Sequence, residues 1–206
     1  CPRSFVRDVD ETETGFSPEL WQKMSELGWV GMVLPEQYGG GGSSFMDLAV
    51  LSEEMGSACL STPLHSSAVL GGLSILDAGS DQLKQEVLPS VASGQRILSF
   101  AQTEPDYGWG PESVNLAATK KNGSFVLNGT KLFIPDAQVA DQIVLVARTS
   151  TGASPDQGIT LFLVNKNTPG VSTRIIKGWT GDKLNEITFE NAEVPASSVI
   201  GQVDGG

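Results

Sequence analysis

The 206-residue sequence contains only two cysteines and one histidine, which limits the chemistry open to it. Cys1 and Cys59 lie far apart and do not form a disulfide framework, a pattern that fits a reducing compartment. Metal centres and nucleophilic triads built on histidine need partner side chains, and none lies near His65 in sequence. We therefore favour an ordinary helix-borne His65, in the core or at the surface, over a metal ligand or a catalytic base.

The sequence is also poor in basic residues and in long apolar runs. Lysine and arginine total 13 against 24 acids, for a net charge of −11, and this sign disfavours nucleic acid and anionic membrane surfaces. A pocket of backbone N–H groups can still hold a phosphate-bearing cofactor. No apolar run approaches the roughly 20 residues that span a bilayer, and no signal peptide is recognisable. The sequence therefore predicts a soluble, cytoplasmic protein that binds neither nucleic acid nor membrane.

Residues 17–94 follow the apolar period of helices. Ser17 followed by Pro18 is a start signal, Ser44 with Asp47 resembles a capping box, and a further helix begins near Ser80. The predicted inner faces are Leu20, Met24 and Leu27; Leu48, Leu51 and Met55; Val69, Leu73 and Leu76; and Leu83, Val87 and Val91. Four short helices with short links predict a helical bundle over residues 1–96.

From residue 97 the period changes to that of strands. Apolar runs of strand length occupy residues 97–101, 125–134, 143–147, 159–164, 171–176 and 187–189. Asn128-Gly129 has the signature of a type I′ hairpin turn. Strands without intervening helices indicate an antiparallel barrel or sandwich. The predicted fold class is α+β, an N-terminal helical bundle followed by an antiparallel β-barrel domain over residues 97–206.

The loop at residues 103–111 is dense in prolines, glycines and aromatics, including Tyr107 and Trp109. A rigid aromatic loop that leaves a strand is a common way to build a ligand-binding wall. Thr103 could present its hydroxyl to a cleft beside this loop, or it could simply cap the turn at Pro105. The residue chemistry alone favours neither reading.

Three other features are interpreted as structural. The glycines at 39–42 lack the Lys-Ser/Thr of a phosphate loop, so they predict a turn between helices. Glu53-Glu54 is interpreted as a solvated helix face. Gly71-Gly72 inside a helix costs on the order of 1 kcal/mol per glycine, and close packing against a neighbouring element would explain it.

A series of motifs then follows one family order along the chain. They include LPEQYGG at 34–40, Thr103-Glu104-Pro105, LNGTK at 127–131, VART at 146–149 and Val194-Pro195. In this register the sequence resembles the acyl-CoA dehydrogenase family. The resemblance implies an α-helical N-terminal domain and a β-barrel middle domain. It also implies FAD as cofactor, and an acyl-CoA thioester that is oxidised to the enoyl-CoA at the flavin face.

The resemblance also implies a set of site residues. Those implied to bind the cofactor are Phe100, Gln102, Thr103, Phe133, Ile134 and Pro135; those implied to bind the substrate are Gly108 and Trp109. The family's Trp-Ile-Thr is here replaced by a sequence that ends in Pro135, which has neither a hydroxyl nor an N–H to donate. Trp109 stands where the family has serine. The resemblance places the catalytic carboxylate in a C-terminal helical domain that this chain lacks, so no catalytic or metal-binding residue is predicted within it.

Three hypotheses follow from these observations. The first is a fragment of an FAD-dependent acyl-CoA dehydrogenase that is inactive by itself, from a full-length form that is a homo- or hetero-oligomer. The second is a divergent, flavin-poor subunit that works beside an active partner in a hetero-oligomer. The third is a ligand-binding helical and barrel module without redox chemistry.

Overall fold

The computed structural model describes residues 2–106, 108–152, 154–178 and 182–206; Cys1 and Tyr107 lie outside these ranges. The helices are Arg3–Asp10 (α1), Pro18–Glu26 (α2), Phe45–Ser57 (α3), Leu73–Ala78 (α4) and Asp81–Ala92 (α5), with a π-helix at His65–Gly72 that leads directly into α4. The strands are Leu98–Ala101 (β1), Ala117–Lys121 (β2), Ser124–Pro135 (β3), Gln142–Arg148 (β4), Ile159–Asn165 (β5), Val171–Ile176 (β6), Leu184–Pro195 (β7) and Val199–Ile200 (β8). None of the helices in these ranges is long and apolar enough to cross a membrane.

The predicted helix starts are confirmed. The Ser17 hydroxyl accepts a hydrogen bond from the backbone N–H of Leu20, and Ser80 caps α5 in the same way. Ser44 and Asp47 form a reciprocal capping box at the start of α3. These caps satisfy N–H groups that have no partner within the helix.

Two helical details differ from the predictions. Helix α1 was not predicted; none of its residues is fully buried, and its apolar Phe5, Val6 and Val9 are half-buried. Helix α2 buries Trp21 and Met24, whereas Leu27, predicted on the inner face, is 64% exposed. The inner face is therefore turned toward Trp21, whose indole N–H donates to the carbonyl of Gly94.

The structural readings of the glycine pairs and of the acidic pair are confirmed. Gly39 to Gly42 form a turn between helices, and Glu53-Glu54 lie exposed on α3. A Cβ on Gly71 would lie 2.7 Å from the Cβ of Leu98 on β1. The glycine at this position therefore lets the π-helix approach the sheet closely.

The sheet has eight strands in the order β6-β7-β3-β2-β4-β5-β8, with β1 beside β4. The α+β class is confirmed, but the sheet formed by the described residues is open, so the closed barrel is not found. The purely antiparallel prediction is also wrong. Strand β1 pairs with β4 in parallel, and β2 touches β4 through one parallel bridge. Strand β1 follows the helices along the chain and runs in the same direction as β4. The strand lengths alone do not reveal this direction.

The hairpin predicted at Asn128-Gly129 is wrong. The turn between β2 and β3 is Asn122-Gly123, where φ is +49° and +84°. A type I′ turn requires positive φ at both central residues, and Asn128 does not have it. Asn128-Gly129 instead lies within β3 at a register shift against β7.

The sheet lies between the helices and a second core of its own. On β4, Val144 faces the helical core, whereas its neighbours Ile143 and Leu145 face the inner core of the sheet. The rings of Phe125 on β3 and Phe162 on β5 are 5.1 Å apart, although β2 and β4 separate these strands in the sheet order. The sheet is therefore curved around one core, and β1 lies where the helices and the curved sheet meet.

Candidate functional site

Strand β1 and the residues that follow it lie beside the last part of β3. The backbone N–H of Leu132 donates to the carbonyl of Thr103 at 2.9 Å. The hydroxyl of Ser99 donates to the carbonyl of Pro135 at 2.8 Å. These two bonds bring together the two stretches that contain the predicted cofactor-binding residues, Phe100 to Thr103 and Phe133 to Pro135.

A bulge in β3 decides which of these side chains point outward. The register against β7 shifts between Lys131 and Ile134, and Phe133 has φ of +56°, which is rare for a bulky residue. Phe133 is 39% exposed and Ile134 only 1%. The bulge thus presents the Phe133 ring outward and buries the Ile134 side chain.

The polar groups at this junction are unevenly available. Pro135 has no N–H, and its carbonyl already accepts the Ser99 hydroxyl. Thr103 is half-buried, and its hydroxyl has no hydrogen-bond partner among the described residues, so it does not cap the turn at Pro105. Thr103 is therefore the side chain here with an uncommitted donor and acceptor.

The predicted substrate-binding residues lie on the loop that follows β1. The side-chain amide of Gln102 donates to the carbonyl of Trp109 at 3.0 Å, which folds the loop back beside the end of β1. The Trp109 ring is 81% exposed, and Gly108 is half-buried. A cavity of about 440 Å³ lies elsewhere, between α5 and the edge of β5, and none of the predicted site residues lines it.

A buried ion pair lies directly beneath this loop. The Lys131 ammonium is 2.7 Å from a carboxylate oxygen of Glu104, and their side chains are 0% and 6% exposed. Burial lowers the pKa of Lys131, and the ion pair with Glu104 opposes that effect. This pair was not predicted from the sequence, although Lys131 follows Phe125 and Leu127 in the inward-facing alternation of β3.

Arg148, at the end of β4, holds the loop from its other side. Its guanidinium donates to the backbone carbonyls of Val114 and Pro111, both at 2.7 Å. It also donates to the carbonyls of Gln157 and Pro155 in the next loop. Because the guanidinium is a rigid fork of donors, it ties two adjacent loops into one unit.

A second acid lies at the end of β3. The hydroxyl of Ser66, on the π-helix, donates to the carboxylate of Asp136. Burial raises the pKa of Asp136, while the Ser66 hydrogen bond and the charge of nearby His65 act in the opposite direction. His65 is exposed on its helix, as one of its two predicted settings required.

A helical layer on a curved mixed sheet, with this strand junction between them, defines a class of protein. The acyl-CoA dehydrogenase N-terminal domain matches residues 3–95, and the acyl-CoA dehydrogenase middle domain matches residues 99–192. The chain belongs to the acyl-CoA dehydrogenase family.

Individual relatives agree with this assignment. An acyl-CoA dehydrogenase of Bacillus subtilis is 36% identical over 97% of this chain and 54% of its own length. The mitochondrial isovaleryl-CoA dehydrogenase of Pongo abelii is 34% identical over 91% of this chain and 46% of its own. The solved ChsE4-ChsE5 complex from Mycobacterium tuberculosis superposes with a TM-score of 0.87 at 26% identity, covering 100% of this chain and 53% of that one. The chain thus spans about half the length of the relatives that it matches.

Proposed function

We propose that this chain forms the helical and middle parts of an FAD-dependent acyl-CoA dehydrogenase that converts an acyl-CoA thioester to the enoyl-CoA. The observation that carries the proposal is that β1 and the residues after it lie beside the last part of β3, joined by hydrogen bonds to the Thr103 and Pro135 carbonyls. The names of the relatives support the reaction class, and a role in acyl-CoA or fatty-acid metabolism belongs to the same proposal.

The groups at the junction suit a flavin. When bound, FAD would supply the acceptor for a hydride from the β-carbon of the acyl group. Thr103 would offer its uncommitted hydroxyl to a polar edge of the ring system, and Phe133 would offer an exposed aromatic surface. Ser99 would hold the backbone of Pro135 in place for the same surface. The role of the protein is thus to orient the cofactor and the thioester.

The proposal gives the chain no catalytic base. The carboxylate that removes the α-proton would belong to the half of the relatives that this chain does not span. Gly108 and Trp109 would line the thioester side of the flavin. We therefore expect no turnover of any acyl-CoA by the chain alone in the presence of an electron acceptor.

The test is a visible absorbance spectrum of the purified chain before and after addition of FAD and removal of the excess. We expect retained flavin, and we expect Thr103→Val, which removes the hydroxyl but keeps the shape, to weaken its retention by about tenfold. Ser93→Ala, an exposed hydroxyl at the end of α5, is the matched control. Failure to retain flavin, even when the chain is joined to the C-terminal half of a relative, would contradict the proposal.

The second candidate is the flavin-poor partner subunit, and Pro135 favours it. This residue has neither the hydroxyl nor the N–H that the family pattern provides at this position. One solved relative, ChsE4-ChsE5, is a complex of two differently named chains. This candidate predicts no flavin until an active partner chain is added. A chain that responds to neither FAD nor acyl-CoA, with or without a partner, would indicate the ligand-binding module instead.

A further inference from the structure

The buried pair of Glu104 and Lys131 lies under both predicted binding stretches. We infer that these two are positioning residues that fix the flavin-facing Thr103 and the Trp109 loop relative to each other. The inference rests on the proposed function, and it adds that the cofactor surface and the substrate surface share one support.

Lys131 binds the backbone beside Thr103. The Lys131 ammonium donates to the carbonyl of Gln102 at 2.9 Å and to Glu104 at 2.7 Å. These acceptors flank Thr103, whose own carbonyl accepts from the N–H of Leu132. The backbone on both sides of Thr103 is therefore bound to β3.

Glu104 binds the backbone at the far end of the loop. Both carboxylate oxygens of Glu104 lie 3.0 Å from the backbone nitrogen of Asn115, and one lies 3.0 Å from that of Leu116. Glu104 thus joins the start of the loop to its end, on either side of Trp109. Bonds from backbone N–H groups to a carboxylate are among the stronger protein hydrogen bonds.

The buried charges of Glu104 and Lys131 provide something that apolar residues at the same positions could not. Apolar residues of similar volume often stabilise a core as well as a buried ion pair does, because both charges lose their hydration. Apolar residues cannot, however, direct bonds to Gln102, Asn115 and Leu116 at once. The property that this pair adds over a leucine and a methionine is therefore orientation of the backbone.

The test uses the double variant Glu104→Leu/Lys131→Met, which leaves no unpaired charge in the core. We expect it to unfold cooperatively, while its affinities for FAD and for an acyl-CoA both fall by at least about tenfold. We expect amide exchange at Asn115 and Leu116 to accelerate by a similar factor of about ten. The matched control is Arg174→Ala/Glu186→Ala, which removes an exposed pair between β6 and β7 and should change none of these.

A folded double variant with the affinities and the slow amide exchange of the wild type would overturn the inference. If the double variant does not fold, Glu104→Gln/Lys131→Met replaces it, since it also leaves no unpaired charge in this pair and its amide oxygen can still accept from Asn115 and Leu116; we then expect slow exchange at both amides, and fast exchange would overturn the inference. Should neither the wild type nor its fusion to the C-terminal half of a relative bind FAD, the proposed function fails, but amide exchange still decides whether the pair holds the loop.

Discussion

The two corners of the strand junction differ in the groups that hold them. The ionic corner, Glu104 and Lys131 with the backbone they bind, uses a salt bridge sealed from water. The hydroxyl corner, Ser99 with Pro135 and Ser66 with Asp136, uses neutral donors and one acid without a bound cation. Both corners fix the ends of the same two strands, but only the first depends on two opposite charges.

The two corners should differ in how well they tolerate substitution. A buried charge that loses its partner keeps its desolvation cost, so the ionic corner fails when either half is removed. A hydroxyl that is removed leaves one carbonyl short of a bond, which is a smaller loss. We therefore expect a substitution in the ionic corner to destabilise the fold more than a substitution in the hydroxyl corner.

The largest effect is expected from Glu104→Leu alone, which strands the Lys131 ammonium in the core. We expect the free energy of unfolding to fall by about 3–5 kcal/mol, measured by denaturant unfolding. Arg174→Ala, which breaks the exposed pair with Glu186, should cost less than about 1 kcal/mol. Equal losses for the two variants would show that the ionic corner is not specially sensitive.

An intermediate effect is expected from Ser99→Ala in the hydroxyl corner. The Pro135 carbonyl would lose the bond it receives from a fully buried hydroxyl, for a cost of about 1 kcal/mol in unfolding free energy. Ser93→Ala, at an exposed helix end where the bond is local, should cost close to nothing. A loss from Ser99→Ala as large as that from Glu104→Leu would remove the distinction between the corners.

The helix caps and the ionic corner differ in how far they could be predicted from the sequence. The caps at Ser17, Ser44 and Ser80 were predictable because each signal lies within four residues of its helix start. The ion pair was not, since Glu104 and Lys131 are 27 residues apart and their meeting depends on how β3 folds back along the end of β1.

The strand details show the same division between local and distant causes. Two Asn-Gly pairs, at 122 and 128, carry the same local turn signal, and pairing with β2 and β7 places the second inside a strand. The bulge that exposes Phe133 likewise arises from that pairing. The motif match placed Phe133 and Ile134 together in the site, but their opposite orientations needed the sheet.

The smallest effect is expected from Asp136→Asn, and its sign is opposite to the others. Burial raises the pKa of Asp136 above its ordinary value of 3.8, so the folded state binds a proton more tightly than the unfolded chain. The contribution of this acid to stability is then complete below that value, and it is lost as the pH rises through the folded-state pKa. The asparagine side chain keeps an oxygen that accepts the Ser66 hydrogen bond, and it is uncharged, so its burial carries no charge-desolvation cost. We expect the melting temperature of the variant to be above that of the wild type at pH 7 and to lose that advantage toward pH 3, as measured by thermal unfolding across this range. A variant less stable than the wild type at pH 7 would instead mean that the Asp136 charge, attracted by His65, stabilises the hydroxyl corner, which would then resemble the ionic one.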